Sequence, residues 1–63
     1  MIYVTKINDQ KVLINADLIE YVESTPDTVI TMTTGRKVVA KESIDEIVDL
    51  AIDYKRKIFA FPS

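Results

Sequence analysis

The sequence predicts an α+β domain: a small, strongly twisted antiparallel sheet of about five short strands with one C-terminal helix packed across it. Three observations predict it. "MIYVTKI" and "TVITMT" are rich in β-branched residues and alternate between two faces, the pattern of half-buried strands. Turn residues at "NDQ", "TPD" and "TGR" punctuate these runs at close spacing, as hairpins require. From Ser43 the period changes from two to about 3.6, the period of a helix. Sixty-three residues make one domain, 1–63, with strands and hairpins over 1–41, the helix over 43–58 and a tail over 59–63.

The first strand sets Ile2, Val4 and Lys6 against Tyr3, Thr5 and Ile7. Asn8 and Asp9 tolerate positive φ, so "NDQ" makes a tight hairpin turn into "KVLI", the second strand. In "NADLIE" the side chains of Asn15 and Asp17 compete for nearby backbone N–H groups, which favours a turn or a single helical turn before the chain extends again. "IEYVEST" is the third strand. Its faces are mixed, Glu20, Val22 and Ser24 against Ile19, Tyr21 and Glu23, so alternation leaves open which side meets the core. Pro26 closes it by fixing φ at the second position of a turn. In the fourth strand Ile30 and Met32 alternate with Val29, Thr31 and Thr33. Gly35, the single glycine of the chain, supplies the left-handed residue of the next turn, and "KVVAK" is the fifth strand.

"SIDE" at 43–46 is a capping box: the Ser43 hydroxyl meets the third helical N–H while Glu46 reaches back to the N–H of Ser43. Ile44, Ile47, Val48, Ala51, Tyr54 and Ile58 share one face of the helix, and Asp45, Glu46, Asp49, Asp53, Arg56 and Lys57 share the other. Acids in the first half and Lys55 to Lys57 at the end each complement the helix dipole. Leu50 and Ile52 widen the apolar arc to about 200°, twice the roughly 100° stripe that one sheet face needs.

Catalytic chemistry is poorly served. The chain has no His and no Cys, so a nucleophile would be a Ser or Thr activated by Lys, and the hydroxyls sit where strands and caps use them. Glu20 and Glu23 point to opposite faces of a strand, which suits solvated carboxylates and not an acid/base pair. Asp45, Asp49 and Asp53 lie along one helix side without a loop to wrap an ion, so they read as a solvated face. Gly35 precedes a strand and not a helix N-terminus, so it is no phosphate cradle. No catalytic, cofactor or metal residue is expected.

Association is better served. A chain this short buries only about 60% of its unfolded surface, and without Cys or His it lacks disulfides and the usual metal ligands. Yet 48% of its residues are hydrophobic. A homo-oligomer is therefore expected, with Leu50, Tyr54, Ile58, Phe59 and Phe61 as its interface residues; for Phe59 and Phe61 the alternatives are covering the edge of the core or docking on a partner. A formal net charge of −2 with dispersed Lys and Arg opposes nucleic-acid binding. Arg36, Lys37 and Lys41 by the hairpin and Lys55, Arg56 and Lys57 on the helix are explained by edge protection and dipole complementation. Their functional alternative is contact with an acidic protein surface or with anionic lipid at the cytoplasmic membrane. No apolar run nears the roughly 20 residues of a membrane span, and "MIYVTKIN" alternates and carries no signal-peptide stretch. A cytoplasmic protein is expected.

From Ile2 to Ile58 the chain resembles the FlbD family of small flagellar proteins, called SwrD where linked to swarming. The resemblance is strongest in Leu18, Ile19 and Glu20, in Thr25 to Thr28, in Thr33-Thr34-Gly35 and in Lys41-Glu42-Ser43. Asp9 departs from the Asn-Gly turn of that family, and "FAFPS" lies outside its pattern. The resemblance implies a role in bacterial motility without enzymatic activity, in support of motor torque through flagellar motor or stator proteins at the cytoplasmic membrane. It carries no catalytic or ligand-binding residues to transfer. Residues 18–51 are also similar in rhythm to the strand, hairpin and helix portion of LytTR-type DNA-binding domains, the alternative reading, but lack the basic and aromatic residues that would reach bases.

Overall fold

The structure, a computed structural model, describes residues 1–59, Phe59 by its backbone alone. Strands Ile2–Thr5 (β1), Lys11–Ile14 (β2), Ile19–Glu23 (β3), Thr28–Met32 (β4) and Lys37–Ala40 (β5) are followed by helix Ile44–Phe59 (α1). The α+β class, the five strands and the helix are as the sequence predicts. The strands divide into two antiparallel sheets, β1-β2 and β3-β4-β5, where one sheet was expected. They meet over a short stretch: Lys6 and Ala40 form a bridge, the Ile7 N–H donates to Val39 O at 3.3 Å and the Lys41 N–H to Thr5 O at 2.7 Å. Through this junction the strand order is β2-β1-β5-β4-β3.

Local chemistry accounts for each connection. At the β1–β2 turn Asp9 takes φ 69°, the Lys6 N–H donates to Gln10 O at 2.8 Å and the Gln10 N–H to Asn8 Oδ1 at 3.1 Å. Asp and Asn are the side-chain types that tolerate this backbone. Asn15 Oδ1 accepts from the Asp17 N–H at 3.0 Å and caps a 3-10 turn, Ala16–Leu18. Gly35 takes φ 90° between β4 and β5. Pro26, after a cis peptide bond, lies between β3 and β4.

β3 carries a bulge. Ile19 pairs with Met32 but Tyr21 pairs with Thr31, so Glu20 is the extra residue. A bulge shifts the alternation by one. Ile19 and Val22, three apart, therefore both pack against the core, which answers what alternation left open.

Ile2, Val4, Ile14, Ile30, Met32, Ala40 and Ile47 form the core, each worth roughly 1.5–3 kcal/mol when fully buried, Ala40 less. α1 packs on β1. The capping box at its start is as predicted: the Ser43 N–H donates to Glu46 Oε1 at 3.0 Å and the Glu46 N–H to Ser43 Oγ at 3.1 Å. The helix runs through Phe59, one residue past its predicted end. The rest of the predicted tail, with Phe61, lies outside the described residues.

Candidate interaction surfaces

Among the described residues, two apolar surfaces stand out after the core is closed. The first is on α1. Ile47 is buried, and Leu50 and Tyr54 are half-buried against the core, so the arc meets the sheet with this flank. Its opposite flank faces outward: Val48 and Ile52, one helical turn apart, are 47% and 43% exposed. Ile58 lies three turns beyond Ile47 on nearly the same side of the helix and is 45% exposed towards the C-terminal end. Of the residues expected at an interface, Ile58 stands free on the surface, Leu50 and Tyr54 are shared with the interior, Phe59 closes the helix and Phe61 is outside the described residues. Val48 and Ile52 belong to the outward surface as well. The arc width signals that such a flank exists, but 3.6 periodicity alone does not say which flank meets the sheet.

The second surface is a groove of about 690 Å³ between the β1–β2 hairpin and the β4–β5 hairpin. That is within the size range of small-ligand and peptide pockets. Half-buried Val12 and Val38 line it, and exposed Ile7, Leu13, Leu18 and Val39 surround them. Lys6, Arg36 and Lys37 are its charged residues. Four separate chain segments contribute, so no contiguous motif announces the groove.

Glu42, in the connection from β5 to α1, grips β1. Its Oε1 and Oε2 both accept from the Thr5 N–H, at 2.8 and 3.0 Å, on the edge of β1 that β2 leaves open. Partial burial raises the Glu42 pKa, but the bonds from Thr5 and the charge of Lys11 outweigh it and hold the carboxyl below its ordinary value. Lys55 pairs with Asp17 at 3.0 Å and ties the helix to the 3-10 turn. Both side chains are about half exposed, so the pair adds little stability. Lys41 pairs with Asp9 across the turn.

Glu42, Glu46, Asp49 and Asp53 border a second, shallower depression with Tyr3 and Leu50. Among the described residues no group of three or more His, Cys, Asp or Glu is arranged to hold a metal. No helix among them is long and apolar enough to cross a membrane.

A family model, FlbD, described as flagellar and swarming motility proteins, matches residues 1–59. No curated protein and no solved structure matches the chain. The DNA-binding alternative drawn from the LytTR-like rhythm finds no support in these comparisons.

Proposed function

The chain belongs to the FlbD family of flagellar and swarming motility proteins, and from that premise we propose that it is a non-enzymatic protein-interaction module of flagellar motility. It self-associates and acts on the flagellar motor or its stator, at the cytoplasmic face of the membrane. The observation that carries this reading is the outward flank of α1, where Val48 and Ile52, one helical turn apart, are exposed together. Large apolar side chains grouped on a helix surface mark contact sites. Arg56 and Lys57 in the last turn offer anionic headgroups or an acidic partner a second point of contact.

The sequence has no His and no Cys and Ser43 is engaged as a cap, which supports a binding role. The test is light scattering after size exclusion on the full chain and on a Val48→Asp, Ile52→Asp variant, with both tested for restoring swarming to a strain lacking the gene. An oligomer that the variant dissociates, together with lost swarming, is expected. A wild-type monomer whose variant still supports swarming would remove the helix flank from the function.

A further inference from the structure

We infer that the groove between the two hairpins binds an extended segment of a partner protein in which apolar side chains alternate with carboxylates. The site is distinct from the helix flank and shares with the proposed function only the premise that this chain binds protein.

Three independent features specify the ligand. The first is charge. Lys6, Arg36 and Lys37 are the charged groove residues, all cationic in a chain of net charge −2 with ten Asp and Glu. Among the described residues none of the three makes an ion pair, whereas Lys41 and Lys55 do. A concave surface that gathers cations and no acids favours an anionic ligand.

The second feature is the apolar wall. Ile7, Leu13, Leu18 and Val39 are exposed around half-buried Val12 and Val38. Free phosphate or a sugar phosphate leaves such a wall wet, while a peptide with alternate apolar residues covers it and gains about 25 cal/mol per Å².

The third feature is the open strand edge, and it selects an extended backbone. Hydrogen-bonded and non-bonded pairs alternate along an antiparallel ladder. The Met32 N–H donates to Arg36 O, so Lys37, the next residue and the partner of Thr31, turns its N–H and C=O away from β4. One step further on the same edge, Val39 O already accepts from the Ile7 N–H. The chain then leaves β5 at the Asn8 turn, and the Lys37 edge is left facing the groove. A strand added here takes its backbone bonds from Lys37, its apolar side chains contact the wall, and its carboxylates reach Lys6, Arg36 and Lys37. Backbone pairing at such an edge gives affinity and the alternate side chains give specificity.

The test uses the full chain and a fluorescein-labelled eight-residue peptide alternating glutamate with valine and leucine, read by anisotropy at low ionic strength. Its lysine counterpart is the control probe. The glutamate peptide is expected to bind, to shift the amide resonances of Leu13, Lys37 and Val39, and to weaken about tenfold or more in an Arg36→Glu, Lys37→Glu variant, as reversed charges at a contact do. Leu13→Ser, at a second wall, weakens it as well and guards against a folding defect in the first variant. Val48→Ser leaves it unchanged. No binding to the folded chain would overturn the inference. So would equal binding of the lysine peptide, or charge reversal without effect. Binding to phosphatidylglycerol vesicles through Arg36 and Lys37, without peptide binding, would overturn it in favour of a membrane surface. A dimer dissociated by the same charge reversal would assign the groove to a second copy. None of these readouts depends on swarming or on the helix-flank oligomer.

Discussion

The two halves of the sheet are held together by different means. In the three-stranded half β4 has a partner strand on each side, and Thr28, Ile30, Thr31 and Met32 are all buried along it. The β1–β2 hairpin has no third strand along most of its length. It is fixed by the Lys6–Ala40 bridge, by the grip of Glu42 on Thr5 and by α1, whose Ile47 joins Ile2 and Val4 in the core. An isolated hairpin is marginal in water, so this one exists through tertiary contact. The difference teaches where a binding surface arises: the groove opens where the contacts between the halves stop.

Core truncation gives the largest effect and tests the contrast directly. Ile30 is fully buried at the centre of the three-stranded half, and Ile30→Ala should cost about 3 kcal/mol. A single core in so small a domain supplies roughly 3–5 kcal/mol. Denaturant titration should therefore find Ile30→Ala near its unfolding midpoint without denaturant. Val4→Ala, on the hairpin, should cost about 2 kcal/mol. In native-state hydrogen exchange it should expose β1 and β2 amides while β4 amides keep most of their protection. Equal loss of protection in both halves would show one cooperative unit and end the distinction.

The junction between the halves comes next. Glu42→Gln keeps the shape but removes the charge from a hydrogen bond to backbone, which should cost about 1–2 kcal/mol. The pH dependence follows from the depressed pKa of Glu42. The folded state binds that proton more weakly than the unfolded state, so its contribution is complete above the ordinary value of 4.5 and is lost as pH falls through the folded value. Thermal melts from pH 6 to pH 3 should therefore fall more steeply for the wild type than for Glu42→Gln. Parallel curves would mean that the carboxylate does not hold the hairpin.

Sequence patterning is legible where one physical rule acts alone. The helix start was legible because Ser43 and Glu46 satisfy each other through neighbouring groups. The turns at Asp9 and Gly35 were legible because so few residues accept positive φ. Legibility failed where tertiary contact decides. The bulge at Glu20 changed the phase of β3, so Ile19 and Val22 share a side that strict alternation denies them. Thr28 and Thr31 lie on opposite phases of one strand and are both buried, since the central position of β4, not their polarity, sets their exposure. Leu50 and Tyr54 turned inward while Val48 and Ile52 stayed out, because an arc of about 200° fixes the amount of apolar surface but not its orientation on the sheet. Lys6, Leu13, Leu18 and Arg36 are distant in sequence and become one groove only when the hairpins meet.

The two hairpin turns give the smallest and most local test of the same contrast. Both place one residue at positive φ, Asp9 at 69° and Gly35 at 90°. A Cβ added at Gly35 would meet nothing within 4 Å, so Gly35→Ala isolates the backbone penalty and should cost about 1 kcal/mol. Asp9→Gly relieves a similar strain but gives the unfolded chain more freedom, worth about 0.4–1 kcal/mol in the opposite sense. It also removes the exposed pair with Lys41, which contributes little. Denaturation midpoints should therefore drop clearly for Gly35→Ala and move by less than about 0.5 kcal/mol for Asp9→Gly, the net of these terms. A large loss in Asp9→Gly would mean that the Lys41 pair holds the hairpin against β5, and would place more of the junction at its surface than the Glu42 contact implies.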